Sequence, residues 1–175
     1  MKKILALTLV AIMLAGCGAA SVKTGLGHNI AVDKSKDASA EGDGLVQVDT
    51  VMAAVTVDSS NKILGVVIDT AQTRINFDTT GKITSDLTEE QKTKAELGYD
   101  YGMKKAGSAR EWFEQIAELE KWMVGKTVDE IKSMKVKKVD EDHQSVPDIP
   151  DLNSKVTISV EDYIAAVEEA YKNAK

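Results

Sequence analysis

The chain reads as an α+β domain, with helices packed on a mainly antiparallel sheet. Three observations predict this class. Residues 45–78 hold apolar and β-branched runs separated by short polar turns. From about residue 88 the apolar spacing changes from two to about 3.6. The resulting order is strands, helices, a polar loop and a last helix.

The elements follow in turn. Residues 45–58 (LVQVDTVMAAVTVD) form a strand, and Asp58-Ser59-Ser60-Asn61 a turn. A second strand, KILGVVIDTA, completes a hairpin, and TRINFD (73–78) is a short third strand before the turn Thr79-Thr80-Gly81-Lys82. Thr88-Glu89-Glu90-Gln91 reads as a capping box opening a short helix to about Leu97. Ser108-Ala109-Arg110-Glu111 reads as another, ahead of a helix with Trp112, Ile116, Leu119 and Met123 on one stripe and Gly125 at its end. Thr127-Val128-Asp129-Glu130 caps a third helix. Residues 140–153 are an acidic loop with two prolines, VTIS is a brief extended piece, and Ser159 is expected to cap the last helix.

The N-terminus carries a separate message. Lys2 and Lys3 precede an apolar run from Ile4 to Leu14, which leads into Leu14-Ala15-Gly16-Cys17. That is a secretory signal, about half the ~20 residues that span a bilayer. It resembles a bacterial lipoprotein signal. The resemblance implies lipidation of Cys17, removal of residues 1–16, and a chain held by lipid on the extracytoplasmic face of the membrane. The expected partner at this end is therefore the membrane itself. Cys17 is the single cysteine, so no disulfide and no thiol chemistry is expected in the mature chain.

Residues 17–44 are expected to be a flexible tether, because 33–44 (DKSKDASAEGDG) lack apolar periodicity. Within them, Ile30 and Val32 alternate with polar neighbours, as in an edge strand. The folded domain is expected over 45–175. Without Lys2 and Lys3 the 22 basic side chains become 20 against 28 acidic ones, a formal charge of −8. Such a chain repels phosphate backbones, which argues against nucleic acid as a partner.

One segment suggests a ligand. Asp151, Ser154, Thr157 and Ser159 are spaced through DLNSKVTIS, ahead of a helix containing AAVEEA. This resembles the FMN-binding domain of flavin-bearing subunits of sodium-pumping quinone reductases and of surface electron-transfer lipoproteins. The hairpin AAVTVDSSNKILGVVID is similar to the opening hairpin of that family, with Asn61 at its turn glycine. The EWFEQ and KWMVGK strings resemble small membrane-anchored lipoproteins of the major membrane immunogen type. The resemblance implies an FMN-binding-like fold, and in covalent members FMN attached through the motif threonine, here Thr157. Lys155 and Val156 stand where the motif has glycine and alanine, adding bulk where a close approach is expected. Two functions follow: a binding or interaction lipoprotein that has lost the flavin, or an FMN carrier passing electrons at the cell surface. Neither needs catalytic residues, so no enzyme is expected.

Beside the resemblance, the first turn of the last helix offers free N–H groups to a phosphate, although Glu161 and Asp162 sit in that turn. The same residues fit an ordinary strand end running into a helix. Tyr99 and Tyr101, flanking a glycine-bounded turn, are candidate stacking faces for a flavin or another planar ligand. Trp112 belongs to the core stripe. His28 and His143 have no partner at metal-ligand spacing. Glu141, Asp142, Asp148 and Asp151 lack the spacing of a calcium loop.

Overall fold

A computed structural model describes residues 22–175. The expected signal (1–16) and Cys17 lie outside the described residues. The domain is α+β. Strands β1 (Lys23–Ala31), β2 (Gly44–Val57) and β3 (Ile63–Phe77) form one antiparallel sheet in the order β1-β2-β3. Helices α1 (Lys94–Leu97), α2 (Trp112–Met123), α3 (Val128–Lys132) and α4 (Glu161–Lys172) follow, with a 3₁₀ turn at Gly98–Tyr101. A small ribbon pairs β4 (Val136–Lys137) with β5 (Val146–Pro147) inside the polar loop. Among the described residues no helix is long and apolar enough to cross a membrane.

The alternation of β2 sets the layers. Val51, Ala53, Val55 and Val57 point inward and are buried, as are Ile63, Val66 and Ile68 of β3. Onto this face α2 lays Trp112, Ile116, Leu119 and Met123 against β3, and α4 lays Tyr163, Ala166, Val167 and Ala170 against β1 and β2. Leu152, Val156 and Val160 close the same core. Across the other face runs the exposed row Leu26, Ala54 and Val67.

The expected tether over 17–44 is corrected for most of its described length. β1 pairs with β2 from Lys23↔Val57 to Ala31↔Asp49, so residues ahead of Leu45 belong to the folded domain. The segment after it also folds back, with Lys36 bridged to Leu45 and the Ser35 hydroxyl bonded to the Gln47 backbone. The strand was faint in the sequence because two of its inward positions are Gly25 and Gly27. A side chain there would run into the backbone of α4 at Ala166 and Ala170. Helix and strand meet backbone to backbone, which leaves no apolar signature.

That close approach also protects the sheet edge. Glu169 of α4 accepts from the His28 backbone N–H at 2.5 Å. Asn173 donates to the Leu26 carbonyl at 3.0 Å, and Asn29 donates to Asp162 at 3.2 Å. Side chains of α4 thus occupy edge groups that otherwise invite another strand.

Both turns form as expected, and they are the same turn. Asp58 Oδ1 accepts from the N–H groups of Ser60 and Lys62 at 2.8 and 2.9 Å. Asp78 Oδ1 accepts from those of Thr80 and Lys82 at 2.8 and 3.0 Å. Asn61 and Gly81 hold the positive φ position, at 61° and 82°.

Four local expectations change. The second and third strands are one continuous β3. No breaker lies between them, only polar residues that face a cleft. The helix expected from Thr88 starts six residues later, because the Thr88 hydroxyl donates back to Asp86 at 2.7 Å and Thr93 pairs with Glu96 instead. α2 is preceded by Glu111, whose N–H bonds to Glu114 at 2.8 Å, while the Ser108 hydroxyl donates to the Arg110 carbonyl. Residues 156–159 form no strand, and α4 follows Val160 with no side-chain cap. The Ser159 hydroxyl accepts instead from the Ser145 N–H at 3.3 Å.

Candidate functional site

The inner face of the sheet changes character along its length. At one end it is aliphatic. At the other, the inward positions are Gln47 and Asp49 of β2 and Thr70, Gln72 and Arg74 of β3, with Asp49 paired to Gln72 and Val51 to Thr70. A buried polar face needs partners, and these residues supply one another. Arg74 donates to the Gln47 amide oxygen at 3.0 Å, and Gln47 donates to Asp49 at 2.7 Å. Gln72 donates to Asp49 at 3.2 Å, and Lys34 does so at 2.7 Å. Tyr101 donates its phenol proton to Gln72 at 3.3 Å. Burial pushes the Asp49 carboxyl up, but the Lys34 ammonium and the two amides outweigh it and hold the pKa below the usual value.

Above this floor lies a cleft of about 690 Å³. One wall comes from Lys94, Tyr101, Met103 and Trp112, the other from residues 141–144 and the run from Ile158 to Tyr163. Trp112 donates its indole N–H to the Tyr163 phenol at 2.9 Å. Burial pushes the Tyr163 pKa up to about 12, so the phenol stays neutral. The Lys94 ammonium stands 4.9 Å from the centre of the Tyr101 ring and 5.6 Å from that of Trp112. Thr70 also lines the cleft. Its hydroxyl is buried beside the Tyr163 phenol, whose ionisation it favours against the effect of burial.

Charge separates this cleft from an anion site. Its lining holds six carboxylates (Asp33, Asp49, Glu141, Asp142, Glu161, Asp162) against two lysines (Lys34, Lys94) and His143. Lys34 is committed to Asp49, and His143 to Asp140 at 2.8 Å. Burial, then the charges of Glu161, Asp33 and Asp49, push the Asp162 carboxyl up despite Lys34 nearby. Among the described residues no group of three or more His, Cys, Asp or Glu stands close enough to hold a metal ion.

The six residues expected to bind FMN do not converge. Tyr101 and Ser159 line the large cleft. Asp151 lies on a separate cavity of about 210 Å³ with Lys155, Glu118 and Trp122, where Lys155 pairs with Glu118 at 2.9 Å. Ser154 is exposed in the turn over 151–155. Tyr99 is 65 % exposed and stands edge-on to Phe113 at 5.2 Å. Thr157 is exposed, and both its N–H and its hydroxyl donate to the Gln115 side-chain oxygen, at 2.8 and 3.2 Å. Gln115 is fully buried on α2, and its amide group reaches the Arg110 carbonyl at 3.3 Å. It therefore clamps two loops to one helix.

The sequence reading passed over Asp49, Thr70, Gln72, Lys94 and Tyr163. The signal for the first three was present. Gln47 and Asp49 hold the inward positions of β2 ahead of Val51, and Thr70, Gln72 and Arg74 those of β3 beyond Ile68, so both apolar alternations turn polar at the same end. No protein-family model, curated protein or solved structure matches this chain.

Proposed function

We propose that the chain is an extracytoplasmic lipoprotein, anchored through lipid on Cys17, whose FMN-binding-like domain binds a small ligand in the large cleft and is not a flavin carrier. The observation that carries this reading is the charge of the cleft. A flavin phosphate adds about two negative charges, and the lining already has four more carboxylates than lysines. Like charges in a partly dry site repel strongly. The volume falls in the range of pockets that enclose small molecules, and the aromatic walls give a flat contact. No reaction is assigned to the site.

Thr157 is an exposed residue, and that favours the second reading, covalent flavin at the motif threonine. Its position two residues before Ser159 matches the spacing of the resemblance. Against it stand the engagement of Thr157 by Gln115 and the placement of Lys155 in an ion pair with Glu118.

One experiment separates the two. The full chain is expressed with a flavin transferase, and the purified protein is examined for flavin absorbance. Wild type, Thr157→Ala and the double variant Lys155→Gly/Val156→Ala are compared. A colourless wild type is expected. Covalent flavin on wild type that disappears in Thr157→Ala refutes the ligand-binding reading in favour of the carrier. The same preparation tests the anchor by mass spectrometry of the mature N-terminus, where an acylated Cys17 is expected. An unacylated terminus elsewhere overturns that part.

A further inference from the structure

We infer that the ligand of the large cleft is an organic ammonium compound, and that the Lys94 side chain is its built-in competitor, occupying the seat of the ligand's cation on the Tyr101 and Trp112 rings. This rests on the ligand-binding reading above and specifies its chemistry.

Two independent observations lead here. The first is the occupant already in place. The Lys94 ammonium faces two aromatic rings at 4.9 and 5.6 Å, within the distance at which a cation is held by a ring face. Among the described residues it makes no ion pair with a carboxylate. Its place is defined by the rings, and a ligand's ammonium group suits the same place.

The second is unanswered negative charge. Asp162 receives a hydrogen bond from Asn29, a neutral amide, and burial with Glu161 beside it disfavours its charged form although Lys34 is nearby. A cation in the cleft relieves this. A bare metal ion does not fit, because the carboxylates are spread over the walls and not gathered as ligands. An extended organic cation spans them.

Competition by a tethered side chain has a measurable signature. A site closed part of the time shows an apparent affinity reduced by the open fraction. Removing the competitor therefore tightens binding of a free cation, whereas removing an ordinary wall residue weakens it.

The experiment uses the folded chain carrying Trp122→Phe, so that Trp112 is the sole tryptophan and is excited selectively at 295 nm or above. Choline is titrated against it, with 3,3-dimethylbutan-1-ol as the uncharged probe of the same shape. The titration is repeated with Lys94→Met and Lys94→Gln, each checked for an unchanged thermal midpoint, and with Asp162→Asn. Choline is expected to saturate the protein and the alcohol not to. Both Lys94 variants should bind choline about tenfold more tightly, the scale of a desolvated cation–π contact, and Asp162→Asn several-fold more weakly. Choline binding that is unchanged or weakened in both Lys94 variants overturns the competitor role and leaves the cleft as a ligand site. Equal binding of choline and the alcohol overturns the ammonium chemistry. FMN saturating the Trp112 signal where choline does not overturns both this inference and the flavin-free reading beneath it.

Discussion

Gly27→Ala tests the joint on which the whole architecture depends, the contact between β1 and α4. A Cβ built on Gly27 lies 2.9 Å from the Ala170 Cα, and closer still to the Ala170 nitrogen and the Ala166 carbonyl oxygen. All three are backbone atoms of a helix, so no side chain can swing aside. Carbon atoms prefer about 3.5–4.0 Å, and the helix must retreat by roughly 1 Å. A gap of that size forfeits a quarter to a half of each affected contact, and overpacking of this kind costs about 1–3 kcal/mol. With three rigid atoms in the way, a loss near the upper end, about 3 kcal/mol, is expected. Urea denaturation followed by tryptophan fluorescence measures it, as a lower midpoint with an unchanged slope. Gly65→Ala is the control, since nothing lies within 4 Å of a Cβ there, and it should shift the midpoint little. Equal midpoints for Gly27→Ala and wild type refute the reasoning and return residues 23–31 to a tether.

Three further outcomes are expected. The Tyr163 phenol, pushed up to about 12 by burial, ionises later in the folded than in the unfolded chain, whose tyrosines titrate near 10; its contribution is therefore intact below pH 10 and fades between about pH 10 and 12, by roughly 2–3 kcal/mol. Alkaline denaturation monitored by circular dichroism checks this, and Tyr163→Phe should lose that part of the pH dependence. Gln115→Leu leaves the Thr157 N–H without its acceptor and should cost about 1–3 kcal/mol in urea melts. Glu120 accepts from the Ile68 N–H at 2.7 Å while burial pushes its carboxyl up; since the folded form prefers the neutral acid, Glu120→Gln should stabilise the protein at pH 7 by a few tenths of a kcal/mol after solvent screening, and the gain should vanish at pH 4 in parallel melts.

The layers and the hairpins were legible because side-chain chemistry encoded them. The inward residues of β2 and the stripe Trp112, Ile116, Leu119 and Met123 are hydrophobic at the spacing their elements require. β1 was nearly silent, because its packing depends on the absence of side chains at Gly25 and Gly27. Helix starts were misplaced where a hydroxyl had two suitors. Thr88 matches a capping box in sequence, but Asp86 is nearer and takes it. The cleft was hidden for another reason. Its floor comes from Asp49 and Gln72 on neighbouring strands, Lys34 from a connecting segment and Lys94 from a short helix, and only the fold brings them together. Residues 151–159 were conspicuous as a contiguous string, yet the chain turns there in a way that sends Asp151, Thr157 and Ser159 to different surroundings.

The meeting of β1 with α4 also bears on when this chain acquires its shape. Thr24 and Lys175 exchange backbone hydrogen bonds at 3.3 Å in each direction, so β1 is fastened by the segment that follows α4. A chain made from its N-terminus therefore carries β1 without the helix that fills its glycine face until α4 has been made. Contacts spanning so much sequence form slowly, and until α4 is in place the glycine face and the edge of β1 stay uncovered.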